Sequence, residues 1–192
     1  MFPELFTGLG RFSDPYRIRL KADYKPVIHP VRKVPMAYKD RIDMELDRME
    51  KLGVISQVSV PTEYVSSFVV AKKKNSKEIR LCLDPRDLNR SVMREHYHIK
   101  TREEILAELG SPQFFSELDL RHAYWQIPLT DDSKLLTTFS THRGRYCFNV
   151  APFGMNRVSS VKRELNKPSL KVYRAFWPIR TTFFCGKLPD TA

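Results

Sequence analysis

The chain has 192 residues, 42% hydrophobic and 29% charged, and its 33 Lys and Arg against 22 Asp and Glu give a net charge of +11. That length and balance fit one globular domain with a real core rather than a disordered chain. The positive excess favours a polyanionic partner, although a merely basic soluble protein would carry the same charge. Cys82, Cys147 and Cys185 are odd in number and have no metal-ligand spacing, so a reduced intracellular compartment, cytoplasmic or nuclear, is expected. Cys82 and Cys147 sit inside apolar runs and read as core thiols. No apolar run approaches the ~20 residues needed to span a bilayer. The start, MFPELFTGLGRF, lacks the charged head and small-residue cleavage site of a signal peptide, so neither a membrane partner nor a targeting segment is expected.

Residues 1–36 hold prolines at 3, 15, 26, 30 and 35, a spacing that forbids a long helix and reads as an extended arm. Within it Tyr16, Ile18 and Leu20 alternate with Arg17, Arg19 and Lys21, as in a short strand with a basic face. The arm fits a path over its own chain as well as it fits a partner's surface. A helix is predicted over 37–52, where Tyr38, Ile42, Leu46, Met49 and Leu52 form one apolar stripe, with Gly53 as its stop. A β-hairpin is predicted over 65–84, with Ile79, Leu81 and Leu83 on one face and Arg80, Cys82 and Asp84 on the other. Its tip carries Lys72, Lys73, Lys74 and Lys77, ammoniums that a phosphate ligand would draw together and that a solvated loop would equally tolerate. Arg80 can point toward the same space.

DPRDLNR, 84–90, reads as a turn into irregular structure, in which Arg86 and Asp87 form an ion pair or Arg86 and Asn89 touch a nucleic-acid backbone. His96 and His98 have no third ligand at zinc spacing. Thr101 and Glu104 form a capping box that opens a short helix, with Ile105, Leu106 and Leu109 buried and Gly110 ending it. An apolar strand then carries Asp119 to its end, and a tight turn follows through Arg121, His122, Ala123 and Tyr124. An acid at a strand end is ordinarily a turn former; beside exposed main-chain N–H groups it can also hold a divalent metal against a phosphate. Asp131 and Asp132 read as a surface turn or helix start. A second hairpin is predicted from Thr137–Phe139 and Arg145–Val150 with Gly144 in its turn, and APFG at 151–154 is a kinked exit.

These pieces together carry a resemblance. ELDRMEKLGVI (45–55), SSFVVAKKKNSKEIRLCLDPRDLN (66–89), REHYHI (94–99), FSELDLRHAYWQIPL (115–129), TTFSTHRGRYCFNV (137–150) and APFGM (151–155) run in the order found in reverse transcriptases of gypsy-type LTR retrotransposons. Over about four-fifths of its length the chain resembles that family. The resemblance implies an α+β fold: right-hand polymerase fingers from 37–94 and 127–156, and an incomplete palm from 95–126, with antiparallel hairpins packed on helices. It implies RNA-directed DNA polymerase chemistry on an RNA or DNA template–primer and deoxynucleoside triphosphates, with Mg²⁺ or Mn²⁺. By position, Asp119 matches the first catalytic, metal-binding aspartate, and the Leu120 carbonyl a further ligand. Lys73 and Arg80 match the clamp on the incoming triphosphate, and Ala123 offers its N–H to phosphate. Tyr124 matches the gate under the sugar, Phe153 and Gly154 the pocket floor, and Arg86 and Asn89 template-side contacts.

The sequence then departs from the family. After APFG the pattern should continue into a helix and a hairpin bearing Tyr-x-Asp-Asp, and no such motif occurs in the 192 residues. VKRELNKPSLKVY resembles a worn form of the expected helix, while AFWPIRTTFFCGKLPDTA has no counterpart. Residues 157–192 carry a net charge of +6 and read as a divergent basic tail. A truncated, frameshifted or spliced copy is expected, inactive alone because one carboxylate cannot hold two metal ions. The alternative is a non-catalytic basic nucleic-acid-binding remnant; a partner polypeptide supplying the missing pair is the third reading. A cut palm sheet would also leave an open edge, which predicts weak folding in isolation.

Overall fold

The computed structural model describes residues 7–72, 79–93, 101, 103–104, 107, 114–118, 122–155 and 182–186. Helix α1, Met36–Lys51, forms where the apolar period is 3.6, and Ile42, Leu46 and Met49 are fully buried along it. It stops in a Schellman motif: Gly53 N–H bonds Glu50 O, Val54 N–H bonds Met49 O, and Gly53 takes φ +68°. Leu52 therefore leaves the predicted stripe. It caps the helix as the chain turns away, and it is 47% exposed.

Strand β1, Ile55–Gln57, pairs antiparallel with β6, Gly144–Phe148, which pairs in turn with β5, Phe139–Thr141, in the order β1-β6-β5. Strands β2, Ser67–Lys72, and β3, Ile79–Asp84, form the predicted hairpin in the register Phe68↔Leu83, Val70↔Leu81 and Lys72↔Ile79. Phe68, Ile79, Leu81 and Leu83 are buried, and Arg80 lies on the exposed face. A parallel bridge, Ser66↔Phe139, joins this hairpin to the three-stranded sheet. The main core fills the space between both sheets and α1, around Ile42, Leu46, Phe68, Phe139 and Tyr146. Cys147 belongs to the interior as expected, whereas Cys82 is only half-buried because it stands on the hairpin's outer face.

After β3 the expected irregular stretch is instead helix α2, Arg86–Ser91. Turn-forming Pro, Asp and Asn hide it in the sequence. Leu88 at 0% exposure supplies the tertiary packing that makes it helical. The Thr101–Glu104 capping box is present, with Thr101 N–H bonded to Glu104 Oε2 at 2.7 Å and Glu104 N–H to Thr101 Oγ1 at 3.2 Å. Residues 103–104 and 107 are helical, while the predicted Ile105, Leu106, Leu109 and Gly110, and His96 and His98, lie outside the described residues. Strand β4, Phe114–Leu118, follows, and Asp131–Leu136 forms helix α3 with both predicted acids in its first turn. Of the tail, Thr182–Gly186 forms β7, antiparallel to β4 in the register Phe114↔Gly186 to Leu118↔Thr182. The tail had no predicted element there, yet Thr-Phe-Phe-Cys has strong β propensity, and it covers one edge of the strand that leads to Asp119.

The arm lies on its own chain. Phe12 and Tyr16 donate backbone bonds to Gln126 and Pro128, Lys21 to Ser91, and His29 to Val65. Only single bridges form, Tyr16↔Leu129 and Leu20↔Val92, instead of the short strand expected, because each stretch meets a different partner. Ile18 is buried in a second core with Tyr64, Leu88, Val92, Ile127 and Leu129, and its N–H bonds Ser133 Oγ at 2.8 Å. Among the described residues no helix is long and apolar enough to cross a membrane.

Candidate functional site

Two chain turns meet at the end of the β2–β3 hairpin. The first begins at His122, the one non-glycine among the described residues with positive φ (51°), and continues as a 3₁₀ turn over Ala123–Gln126. Trp125 N–H bonds His122 O at 2.9 Å and Ile127 N–H bonds Tyr124 O at 3.1 Å, so Ala123 and Tyr124 are presented from a closed turn. The second turn is APFG, where Phe153 is 57% exposed and Gly154 takes φ +98°. Tyr124 and Phe153 meet edge to face, with ring centroids 5.4 Å apart and planes at 87°. This geometry matches the aromatic quadrupole preference.

Helix α2 supports the second turn. Asn89 Nδ2 donates to Gly154 O at 3.0 Å, and a Cβ added at Gly154 would stand 3.5 Å from the Pro85 ring. Arg86 does not pair with Asp87. Its Nε and Nη2 donate to the two carboxylate oxygens of Asp84, both at 2.8 Å, because Asp84 ends β3 and Arg86 opens α2 on the same side of Pro85. The Arg86 hydrogen bonds hold the Asp84 carboxyl below the usual carboxylate range against the opposing effect of burial, and the Arg86 and Arg32 charges add to the lowering. Arg32 Nη2 lies 3.5 Å from Asp84 Oδ2. Asp87 instead bonds His29 Nε2 at 2.7 Å and Arg90 at 3.3 Å, pinning the arm to α2.

Of the predicted site residues, the structure thus brings together Tyr124 and Phe153, and Gly154 and Asn89, with Ala123 beside Tyr124 and Arg86 on the same short helix as Asn89. Arg80 stands four residues before Asp84 on β3, roughly 13 Å up the strand at ~3.3 Å per residue. Lys73, Asp119 and Leu120 lie outside the described residues. No group of three His, Cys, Asp or Glu that could hold a metal ion occurs among the described residues. Burial pushes both the Cys82 and the Cys147 thiol up, so neither is poised as a nucleophile.

Sequence reasoning missed two features. Asp84 anchors Arg86, which its spacing of two residues across a proline could have signalled. The Trp125 ring stacks on His122, centroids 4.7 Å apart and 8° from parallel, and Arg48 of α1 lies 5.4 Å from its centroid. Nothing local in the sequence links Arg48 to Trp125.

The chain matches known proteins in sequence and in fold. Residues 71–163 match the family model described as reverse transcriptase (RNA-dependent DNA polymerase). The chain is 33% identical over 144 residues to the retrovirus-related Pol polyprotein from transposon gypsy of Drosophila melanogaster, covering 72% of this chain and 14% of that protein. It is 26% identical over 152 residues to the enzymatic polyprotein of cauliflower mosaic virus (strain Strasbourg), covering 78% of this chain and 22% of the polyprotein. In fold it is similar to the prototype foamy virus protease–reverse transcriptase, with a TM-score of 0.78 at 20% identity, covering 95% of this chain and 24% of that one. A foamy viral protease–reverse transcriptase in complex with double-stranded DNA gives a TM-score of 0.76 at 18% identity, covering 94% of this chain and 31% of that one. The chain spans between 11% and 22% of the length of these curated relatives. An α+β arrangement of antiparallel hairpins on helices, two converging turns and these matches together place the chain in the reverse transcriptase family, beside the Pol polyproteins of gypsy-like retrotransposons.

Proposed function

We propose that these residues form the fingers and the nucleotide-facing wall of an RNA-directed DNA polymerase. Residues 37–94 and 127–156 make the fingers, 95–126 the palm segment, and 157–192 a basic appendage. The edge-to-face contact of Tyr124 with Phe153 carries this reading, since it sets an aromatic gate on a pocket floor fixed by Asn89 and Gly154. Tyr124 lies under the sugar and rejects a 2′-OH. The Ala123 N–H, Lys73 and Arg80 take the triphosphate, whose charge needs donors already in place. Arg86 keeps Nη1 for a template phosphate while its other donors hold Asp84. Asn89 serves the template side through the loop it secures.

The chemistry is nucleotidyl transfer with Mg²⁺ or Mn²⁺. Asp119 and the Leu120 carbonyl would hold one ion; these two residues are assigned by position in the family pattern. The role of a bound ion is to neutralise the triphosphate charge. The 192 residues carry no Tyr-x-Asp-Asp, and two ions about 4 Å apart need more carboxylates than Asp119 supplies. The net charge of +11 suits a template–primer. The foamy viral relative solved with double-stranded DNA supports that class of partner.

The test uses the 192-residue chain with an RNA template primed by DNA and Mg²⁺. Salt-sensitive retention of the duplex, binding of a deoxynucleoside triphosphate and no primer extension are expected. Extension by these residues alone, abolished by Asp119→Ala, would overturn the inactivity. Failure to bind either duplex or nucleotide would overturn the site.

A further inference from the structure

The Arg48–Trp125–His122 stack belongs to none of the roles above. Its placement connects it to them: His122 and Trp125 bracket Ala123 and Tyr124, the two residues the nucleotide turn presents. His122 sits at φ 51° and ψ 44°, which an L-residue adopts only when its surroundings hold it there. The Trp125 ring provides that hold by lying nearly parallel to the imidazole at 4.7 Å. Trp125 is itself fixed, being packed against the main core and met by the Arg48 guanidinium at 5.4 Å. Arg48 is held in turn, since Glu45 accepts its Nε at 2.7 Å and its Nη2 at 2.8 Å. A continuous line of contacts therefore runs from the surface of α1 to the turn.

We propose that Arg48 and Trp125 are positioning residues for the nucleotide pocket: the indole, steadied from α1 by Arg48, keeps His122 left-handed and so aims the Ala123 N–H and the Tyr124 ring. This rests on the reading of residues 122–126 and 151–154 as that pocket. Arg48 touches no nucleotide and acts wholly through Trp125.

The experiment titrates the full 192-residue chain, with Mg²⁺, with thymidine triphosphate carrying a fluorophore on its base. Arg48→Leu is expected to weaken binding about five-fold, the size of a partly desolvated cation–π contact. Arg48→Lys, which keeps a cation over the ring, recovers most of the loss. Trp125→Leu weakens binding about ten-fold, and adding Arg48→Leu to it costs nothing further. Independent, multiplying losses would overturn the proposal, as would wild-type affinity in Arg48→Leu. If Trp125→Leu does not fold, the contrast of Arg48→Leu with Arg48→Lys on the exposed face of α1 decides. Tryptophan emission, read in a Trp177→Phe background so that Trp125 alone reports, changes with Arg48→Leu if the stack forms in solution. Should the wild-type chain bind no thymidine triphosphate, the pocket itself is refuted and this inference falls with it. Should it bind equally well in every variant, only the positioning role is refuted.

Discussion

Replacing Gly154 by alanine separates the geometry of the proposed pocket floor from mere stability. Gly154 has φ +98°, a conformation that costs an L-residue about 1–2 kcal/mol or more. Space is not the obstacle: the added Cβ would stand 3.5 Å from Pro85 Cδ and Cγ and 3.7 Å from Leu83 O, ordinary contact distances. The loss should therefore equal the backbone term, about 1–2 kcal/mol, or a melting temperature lower by about 2–8 °C for a chain of this size. Relaxation of φ toward negative values also moves the Gly154 carbonyl off Asn89 and takes Phe153 from Tyr124, so nucleotide binding should weaken as well. Gly53→Ala is the control. Its φ of +68° carries a similar backbone cost and its Cβ would meet nothing within 4 Å, but it ends α1, so only the melting temperature should fall. Thermal melts by circular dichroism and nucleotide titrations of both variants settle the matter. Equal nucleotide affinity in Gly154→Ala and Gly53→Ala, at matched stability loss, would refute the coupling between the 151–154 turn and the pocket.

Other perturbations follow from the same contacts. Tyr124→Ala should let a ribonucleoside triphosphate bind as well as its deoxy counterpart, and competition titrations of the pair would expose any surviving preference. Ile42→Ala removes a side chain at 0% exposure from the main core and should cost about 2–5 kcal/mol, read as a lower urea midpoint at constant slope. The Asp84 carboxyl is lowered in the folded state, so the unfolded chain binds the extra proton in acid. The stabilisation from this group is present above the usual carboxylate value of about 4 and disappears as pH falls through the lower folded value. Urea midpoints of Asp84→Asn should accordingly sit below wild type at pH 7 and converge on it below about pH 4; a gap independent of pH would contradict the assignment.

Period and capping signals were legible because they are local. Alternation at Ile79, Leu81 and Leu83 located β3 and put Arg80 on the outer face; the four- and three-residue steps of Ile42, Leu46 and Met49 located α1. Thr101 with Glu104 marked a helix start, and Asp131 with Asp132 a turn or helix start that the structure resolves as a helix. The family pattern named Tyr124, Phe153, Gly154 and Asn89, and these four do converge. What stayed hidden depends on distant partners. Helix α2 contradicts its own turn-forming residues and is helical through Leu88. The sequence left the Arg86 partner open: Asp87 is adjacent and Asp84 two residues back, and only the bend at Pro85 selects Asp84. Strand β7 needs β4 beside it, some 65 residues earlier in the chain. Prolines could say that the arm is not helical but not which surface it follows.

The lacing of the arm has a consequence for how the polypeptide emerges from a ribosome. Ile18 is joined to Ser133 across 115 positions, and Tyr16 hydrogen-bonds Pro128. At ~5–20 residues per second, synthesis of the intervening stretch takes about 6–23 s. Throughout that interval Ile18 and the aromatic side chains of this early segment have no seat, and the second core cannot close. Nascent product therefore spends seconds with this apolar, cationic arm uncovered, the interval in which it is most exposed to misassociation.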